Sequence, residues 1–73
     1  MGYAMIITYH AVAGVIGQQP EIKERFLLRS DAVRYLCGTG HPDEVVAVRQ
    51  ALECGKRYAR NATEYVEVVM LLD

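Results

Sequence analysis

The chain has 73 residues and a mass of 8.2 kDa, a length that accommodates one domain. Hydrophobic residues make up 52% of it and charged residues 23%, a globular composition that excludes a disordered tail. Eight Lys and Arg against nine Asp and Glu give a net charge of −1, which excludes a basic nucleic-acid-binding arm. Because a domain this small buries only about 60 to 65% of its unfolded surface, we expect stabilisation by a partner subunit.

The apolar segment from Ala4 to Ile16 is a poor candidate for a signal peptide or a membrane span. No Lys or Arg precedes it, and three polar or aromatic residues, Thr8 to His10, interrupt it. It is also shorter than the roughly 20 residues that a membrane-spanning helix needs. We therefore expect no membrane association and a cytoplasmic location.

Two strands are predicted in the first half of the chain. Residues 3–12 are rich in β-branched and aromatic types, and a connection rich in glycine and proline follows them. Residues 22–29 alternate between apolar and charged types, which indicates a second strand. A helix over 21–37 is the alternative, because some apolar residues also fit a helical period. We favour the strand, because Ser30 and Asp31 are suited to cap a helix over 31–37.

The second half predicts a longer helix and a third strand. Pro42 is suited to a first helical turn, and acidic residues follow it where the positive end of the helix dipole favours them. Asn61 is a plausible end of this helix. The side chains of residues 64–72 alternate with a period of two, which predicts the third strand. The buried stripe of this helix is predicted to contain Val45, Val48, Leu52, Gly55 and Ala59.

These elements predict an α+β fold with the order ββααβ. We expect a three-stranded antiparallel sheet of order 2-1-3, with the two helices packed on one face. Pairing Tyr9 with Phe26 in the first hairpin, and Tyr9 with Val66 across the first and third strands, makes every inward pair apolar or aromatic. A slip by one residue would destroy that agreement.

The other face of the predicted sheet has a polar end and an apolar end. At the polar end the register brings together an imidazole, a guanidinium, a phenol and a carboxylate, which could hold an anionic ligand or transfer a proton. These candidate ligand-binding residues are His10, Arg25, Tyr65 and Glu67. The alternative interpretation is a set of ordinary cross-strand polar pairs. The apolar end contains the candidate interface residues Ile6, Leu27, Val69 and Leu71.

Metal and cofactor sites are not predicted. Cys37 and Cys54, with His10 and His41, lack the closely spaced ligand pairs of zinc sites, so we expect reduced, buried cysteines. A nucleic-acid platform of tyrosines is also disfavoured, because the predicted register turns Tyr9 inward and the net charge is negative.

Two functional hypotheses follow from this surface. The first is a non-enzymatic binding module that forms a homodimer, because an uncovered apolar sheet face is typical of an interface. The second is a dimeric binder of a small anionic ligand, or a simple enzyme, with a pocket near the subunit interface.

Overall fold

A computed structural model describes residues 5–72 of the chain. Its architecture is α+β, with an antiparallel sheet whose strand order is β2-β1-β4-β3 and two helices on one face. We had predicted three strands, and the fourth is a short strand at one edge. The elements in chain order are β1 (Ile7–Val15), β2 (Glu21–Phe26), α1 (Arg29–Cys37), a 3-10 turn (Pro42–Glu44), α2 (Val45–Glu53), β3 (Tyr58–Ala59) and β4 (Glu64–Leu72).

The first two strands form the predicted hairpin. Tyr9 lies opposite Phe26 and His10 opposite Arg25, as expected, and the register shifts by one residue after Ala11. The helical alternative is therefore wrong for residues 21–26. Strand β1 runs from Ile7 to Val15, so it starts and ends later in the sequence than the strand predicted over residues 3–12. Residues 3 and 4 of that prediction lie outside the described residues.

The pairing of β1 with the last strand differs from the prediction by four residues. Tyr9 lies opposite Met70 rather than Val66, and the ladder runs from the Ile7–Leu72 pair to the Val15–Glu64 pair. Alternation of apolar residues has a period of two, so it determines which face a residue occupies but not which of several even shifts the strands adopt. Tyr9 and Val68 accordingly occupy the predicted inner face and contact the core.

Both helices differ from the prediction at their ends. The first begins at Arg29, and its N-cap is Leu28, which makes no side-chain capping bond, so Ser30 and Asp31 lie inside the helix. The second ends at Glu53, and Gly55 follows with φ of 75°. The Lys56 N–H donates to the Ala51 carbonyl and the Gly55 N–H to the Leu52 carbonyl, which is the Schellman arrangement of a helix end.

The early end of α2 frees residues for a strand that we did not predict. Gly55 and Ala59 do not belong to a helical stripe. Instead, Tyr58 and Ala59 form β3, which pairs with Val66 and Tyr65. The core between the sheet and the helices comprises Ala11, Ala32, Val33, Leu36, Cys37, Val48, Leu52 and Val66.

Candidate functional surface on the outer face of the sheet

The sheet face opposite the helices, here called the outer face, presents all the candidate residues that lie on strands. Successive residues of a strand point to opposite faces of the sheet. The strand residues that come between core residues in the sequence therefore belong to the outer face. From β1 the outer face receives Thr8, His10, Val12 and Gly14, from β2 Arg25, and from β4 Tyr65, Glu67, Val69 and Leu71.

His10 lies in the middle of the outer face and is only 5% exposed. Its Nε2 atom lies 3.5 Å from the Thr8 hydroxyl oxygen. Its Nδ1 atom is buried and has no hydrogen-bond partner in the part of the chain that the structure describes. A buried polar atom without a partner costs about 1 to 3 kcal/mol, so this atom is a site where a ligand group would be stabilising.

Arg25 is the cross-strand neighbour of His10, as predicted. Its main-chain N–H donates to the Glu24 carboxylate at 3.2 Å. Among residues 5–72, no carboxylate lies within ion-pair distance of its guanidinium. The pair thus combines a buried imidazole with an exposed cation whose charge is not neutralised by the described chain.

Tyr65 lies further along the sheet than we predicted. It is opposite Gly14, four residues from His10 on β1, a separation of about 13 Å along the strand. The Arg57 guanidinium stacks on its ring, 3.7 Å from the centroid. Burial of Tyr65 therefore follows from its own neighbours and needs no ligand.

Glu67 lies opposite Val12, between His10 and Tyr65 along the sheet. Its carboxylate is 3.3 Å from the Arg57 guanidinium, so its ion-pair partner is not Arg25. The four predicted ligand-binding residues share one face but form a row, with His10 and Arg25 at one end, Glu67 in the middle and Tyr65 nearest the β1–β2 turn. The sequence does not reveal the role of Arg57, because the helix predicted to end near Asn61 runs through it.

Three of the four candidate interface residues, Ile6, Leu27 and Leu71, lie at the end of the sheet away from the β1–β2 turn, whereas Val69 lies in the middle of the outer face. Ile6, Leu27 and Leu71 are 52%, 70% and 41% exposed, whereas Val69, opposite His10, is half-buried. Leu27 belongs to the junction between β2 and α1 rather than to a strand, because β2 ends at Phe26.

The apolar surface extends beyond these four residues. Strands β1 and β4 continue to pair for two residues past the last pair that β1 makes with β2, and apart from Thr8 the residues of this projecting ribbon are apolar. The exposed large apolar residues here, which together define the apolar end, are Met5, Ile6, Ile7, Leu27, Leu28, Met70, Leu71 and Leu72.

A cleft of about 390 Å³ lies at the other end of the sheet, on the side of the helices. Its charged groups already have partners within the protein. Lys23 is 3.1 Å from the Glu21 carboxylate, and Arg60 forms an ion pair with Glu44. We therefore do not assign a ligand to this cleft.

The cysteines and the other acidic residues form no further candidate site. Cys37 is buried, as expected, but Cys54 is exposed, and neither forms a disulfide. Across residues 5–72, no group of His, Cys, Asp and Glu side chains has the geometry of a metal site. None of the described helices is long and apolar enough to cross a membrane.

Comparison with known proteins returns no family model, no curated protein and no solved structure that matches the chain significantly.

Proposed function

We propose that this chain is a small cytoplasmic interaction module that forms a homodimer through the apolar end, with Ile6, Leu27, Val69 and Leu71 as contact residues. The observation that supports it is the clustering of eight exposed large apolar residues where β1 and β4 project past β2. Contiguous exposed apolar patches on small domains are typical of protein interfaces. A reducing compartment is compatible with two cysteines that form no disulfide.

The size of the domain supports association with a second copy. Few side chains are fully buried, and the largest of them are Leu36, Leu52, Val48 and Val66. Chains of fewer than roughly 80 residues rarely obtain more than 3 to 5 kcal/mol from their own core. Covering the apolar end in a dimer would add buried apolar area at about 25 cal/mol per Å².

Molar mass by light scattering, measured over a wide range of concentrations, tests this proposal. We expect twice the 8.2 kDa of one chain at high concentration. The substitution Leu27→Asp should lower the dimer fraction strongly, because it places a charge in the contact. Val46→Asp is the matched control, since Val46 is an exposed apolar residue in the first turn of α2, where an acidic side chain is tolerated. A wild-type chain that keeps the monomer mass at millimolar concentration would exclude the homodimer.

A second candidate function is the binding of a small anion between His10 and Arg25. The observation that favours it is the buried Nδ1 atom of His10, which has no hydrogen-bond partner among residues 5–72. Arg25, opposite His10 on the neighbouring strand, has no ion-pair partner among the same residues. An anionic oxygen could accept from both groups.

Thermal unfolding with inorganic phosphate or acetate as the probe tests this second function. We expect the Tm of the wild type to rise with anion concentration and the Tm of Arg25→Gln to stay unchanged. Lys56→Gln, which removes an exposed cation outside the outer face, should keep the rise. An equal rise in the wild type and in Arg25→Gln would mean that the anion acts on the protein generally and not at this pair.

A further inference from the structure

One edge of the sheet is open over most of a long strand. Strand β4 pairs with β1 along its whole length, but on its other side β3 pairs only with Tyr65 and Val66. From Glu67 to Leu72, no strand of the described chain lies beside β4 on this side.

The direction of the main-chain groups at this edge follows from one hydrogen bond. The Arg60 N–H donates to the Glu64 carbonyl at 2.8 Å, so the peptide groups of Glu64 point towards the β3 side. Peptide groups alternate in direction along a strand, so those of Val68, Met70 and Leu72 point to the same side. Their N–H and C=O groups are thus available to another strand.

The two edges of the sheet differ in the features that prevent strand addition. The β2 edge has four charged residues in a six-residue strand, and its register is interrupted after Ala11. Charges and bulges of this kind discourage pairing with another chain. Residues 68–72 of β4 (Val-Val-Met-Leu-Leu) contain no charge and no proline, and their ladder with β1 is regular.

We infer that the open edge of β4 pairs antiparallel with β4 of a second copy, joining two four-stranded sheets into one continuous sheet. The inference rests on the proposed homodimer and assigns its main-chain contact to β4, the strand that carries Val69 and Leu71, while Leu27 lies near β2, two strands away. The two-fold axis passes near Met70, so that Val68 of one copy lies opposite Leu72 of the other and neither copy overlaps β3. Both helix layers then lie on the same side of the joined sheet.

The side chains of β4 favour a second copy of this strand as the partner at its open edge. Between Val68 and Leu72 the strand is apolar on both faces, with Met70 and Leu72 exposed on one and Leu71 on the other. An ordinary amphipathic strand would place polar groups beside one of these faces, whereas a second β4 is apolar on both. Antiparallel pairing also puts Val69 opposite Leu71, while parallel in-register pairing would put Glu67 beside its copy.

Amide hydrogen exchange of the wild-type protein is the direct measurement. We expect the Val68 and Met70 amides to exchange slowly in the dimer and quickly on dilution to the monomer. The Val69 amide, which points towards β1, should be protected at both concentrations. Rapid exchange of Val68 and Met70 in a sample shown to be dimeric overturns the inference.

Two substitutions at Met70 distinguish the contribution of its main-chain N–H to dimer stability from that of its side chain. Met70→Pro removes an N–H that has no partner within the described monomer and is compatible with an edge strand. Met70→Ala keeps the N–H. We expect Met70→Pro to raise the dissociation constant by about 100-fold or more and Met70→Ala by about tenfold or less.

The outcomes distinguish this inference from the proposed function. A wild-type monomer at millimolar concentration defeats both. A dimer that Leu27→Asp disrupts, but that Met70→Pro leaves intact, supports association through the outer face and defeats edge pairing. If Met70→Pro does not fold, the exchange rates of the wild type decide.

Discussion

At the scale of single residues, Gly14 and Tyr65 lie opposite each other on the outer face. A Cβ atom on Gly14 would overlap the phenol ring of Tyr65, with a separation of 2.8 Å from Cε1 and closer contacts to Cζ and the hydroxyl. Arg57 lies against this ring, and Glu67 holds Arg57. The ring is therefore packed between the β1 backbone and the Arg57 guanidinium.

Gly14→Ala should destabilise the protein because the buried ring cannot move without breaking its contact with Arg57. We expect a loss of about 1 to 3 kcal/mol in the free energy of unfolding, the usual cost of overpacking. Urea denaturation measures it. Gly38→Ala is the control, because a Cβ there would lie 3.5 Å from its nearest neighbour and φ is −81°, so we expect little change. Equal effects of the two substitutions would contradict the confinement of Tyr65.

At the scale of elements, one side chain connects three parts of the fold. Arg60 follows β3, and its guanidinium donates to the Leu36 carbonyl in α1 at 3.2 Å and to the Thr39 hydroxyl at 2.8 Å. It also forms an ion pair with Glu44 in the 3-10 turn, and both side chains are largely buried. The pair fixes the α1–α2 connection against the β3–β4 turn, because each polar group has a partner there.

A double-mutant cycle on Arg60→Ala and Glu44→Ala should give a coupling energy of about 1 to 3 kcal/mol, as neighbours in one buried polar network do. The same cycle on Lys23→Ala and Glu21→Ala, an exposed pair at 3.1 Å, should give less than about 0.5 kcal/mol. Thermal and urea unfolding of the single and double variants supply the energies. A coupling for Arg60 and Glu44 no larger than that of the exposed pair would show that the connection is held by packing alone.

At the scale of the whole molecule, the fold is elongated rather than spherical. The radius of gyration is 13.0 Å, whereas a compact domain of this length has about 11 Å. The longest dimension is 48 Å against 26 and 18 Å for the others. The ribbon of β1 and β4 that extends past β2 exposes Ile7, Leu71 and Leu72, which is costly for an isolated chain and favourable for one that associates.

From the sequence alone follow the α+β class, the hairpin register from Tyr9 to His10, and the faces of the residues in β1 and β4, whereas the register shift after Ala11 moves Ile22 to the face opposite the predicted one. Local patterns carry this information, because apolar alternation with a period of two distinguishes the two faces of a strand. The residues of the apolar end could likewise be named in part, since Ile6, Leu27 and Leu71 are apolar at positions that the predicted helices leave uncovered. The pair His10 and Arg25 also followed from the hairpin register.

The register of β1 with β4, the end of α2 and the partners of Tyr65 and Glu67 depend on long-range packing and cannot be derived from local patterns. An even shift of four residues leaves the apolar pattern unchanged, so sequence periodicity cannot choose between registers. Gly55 fits a helical stripe in sequence but adopts positive φ in the fold, which ends the helix and frees Tyr58 and Ala59 to form β3. Arg57 then reaches Tyr65, and β3 pairs with so little of β4 that, among residues 5–72, no strand lies beside β4 on this side past Val66.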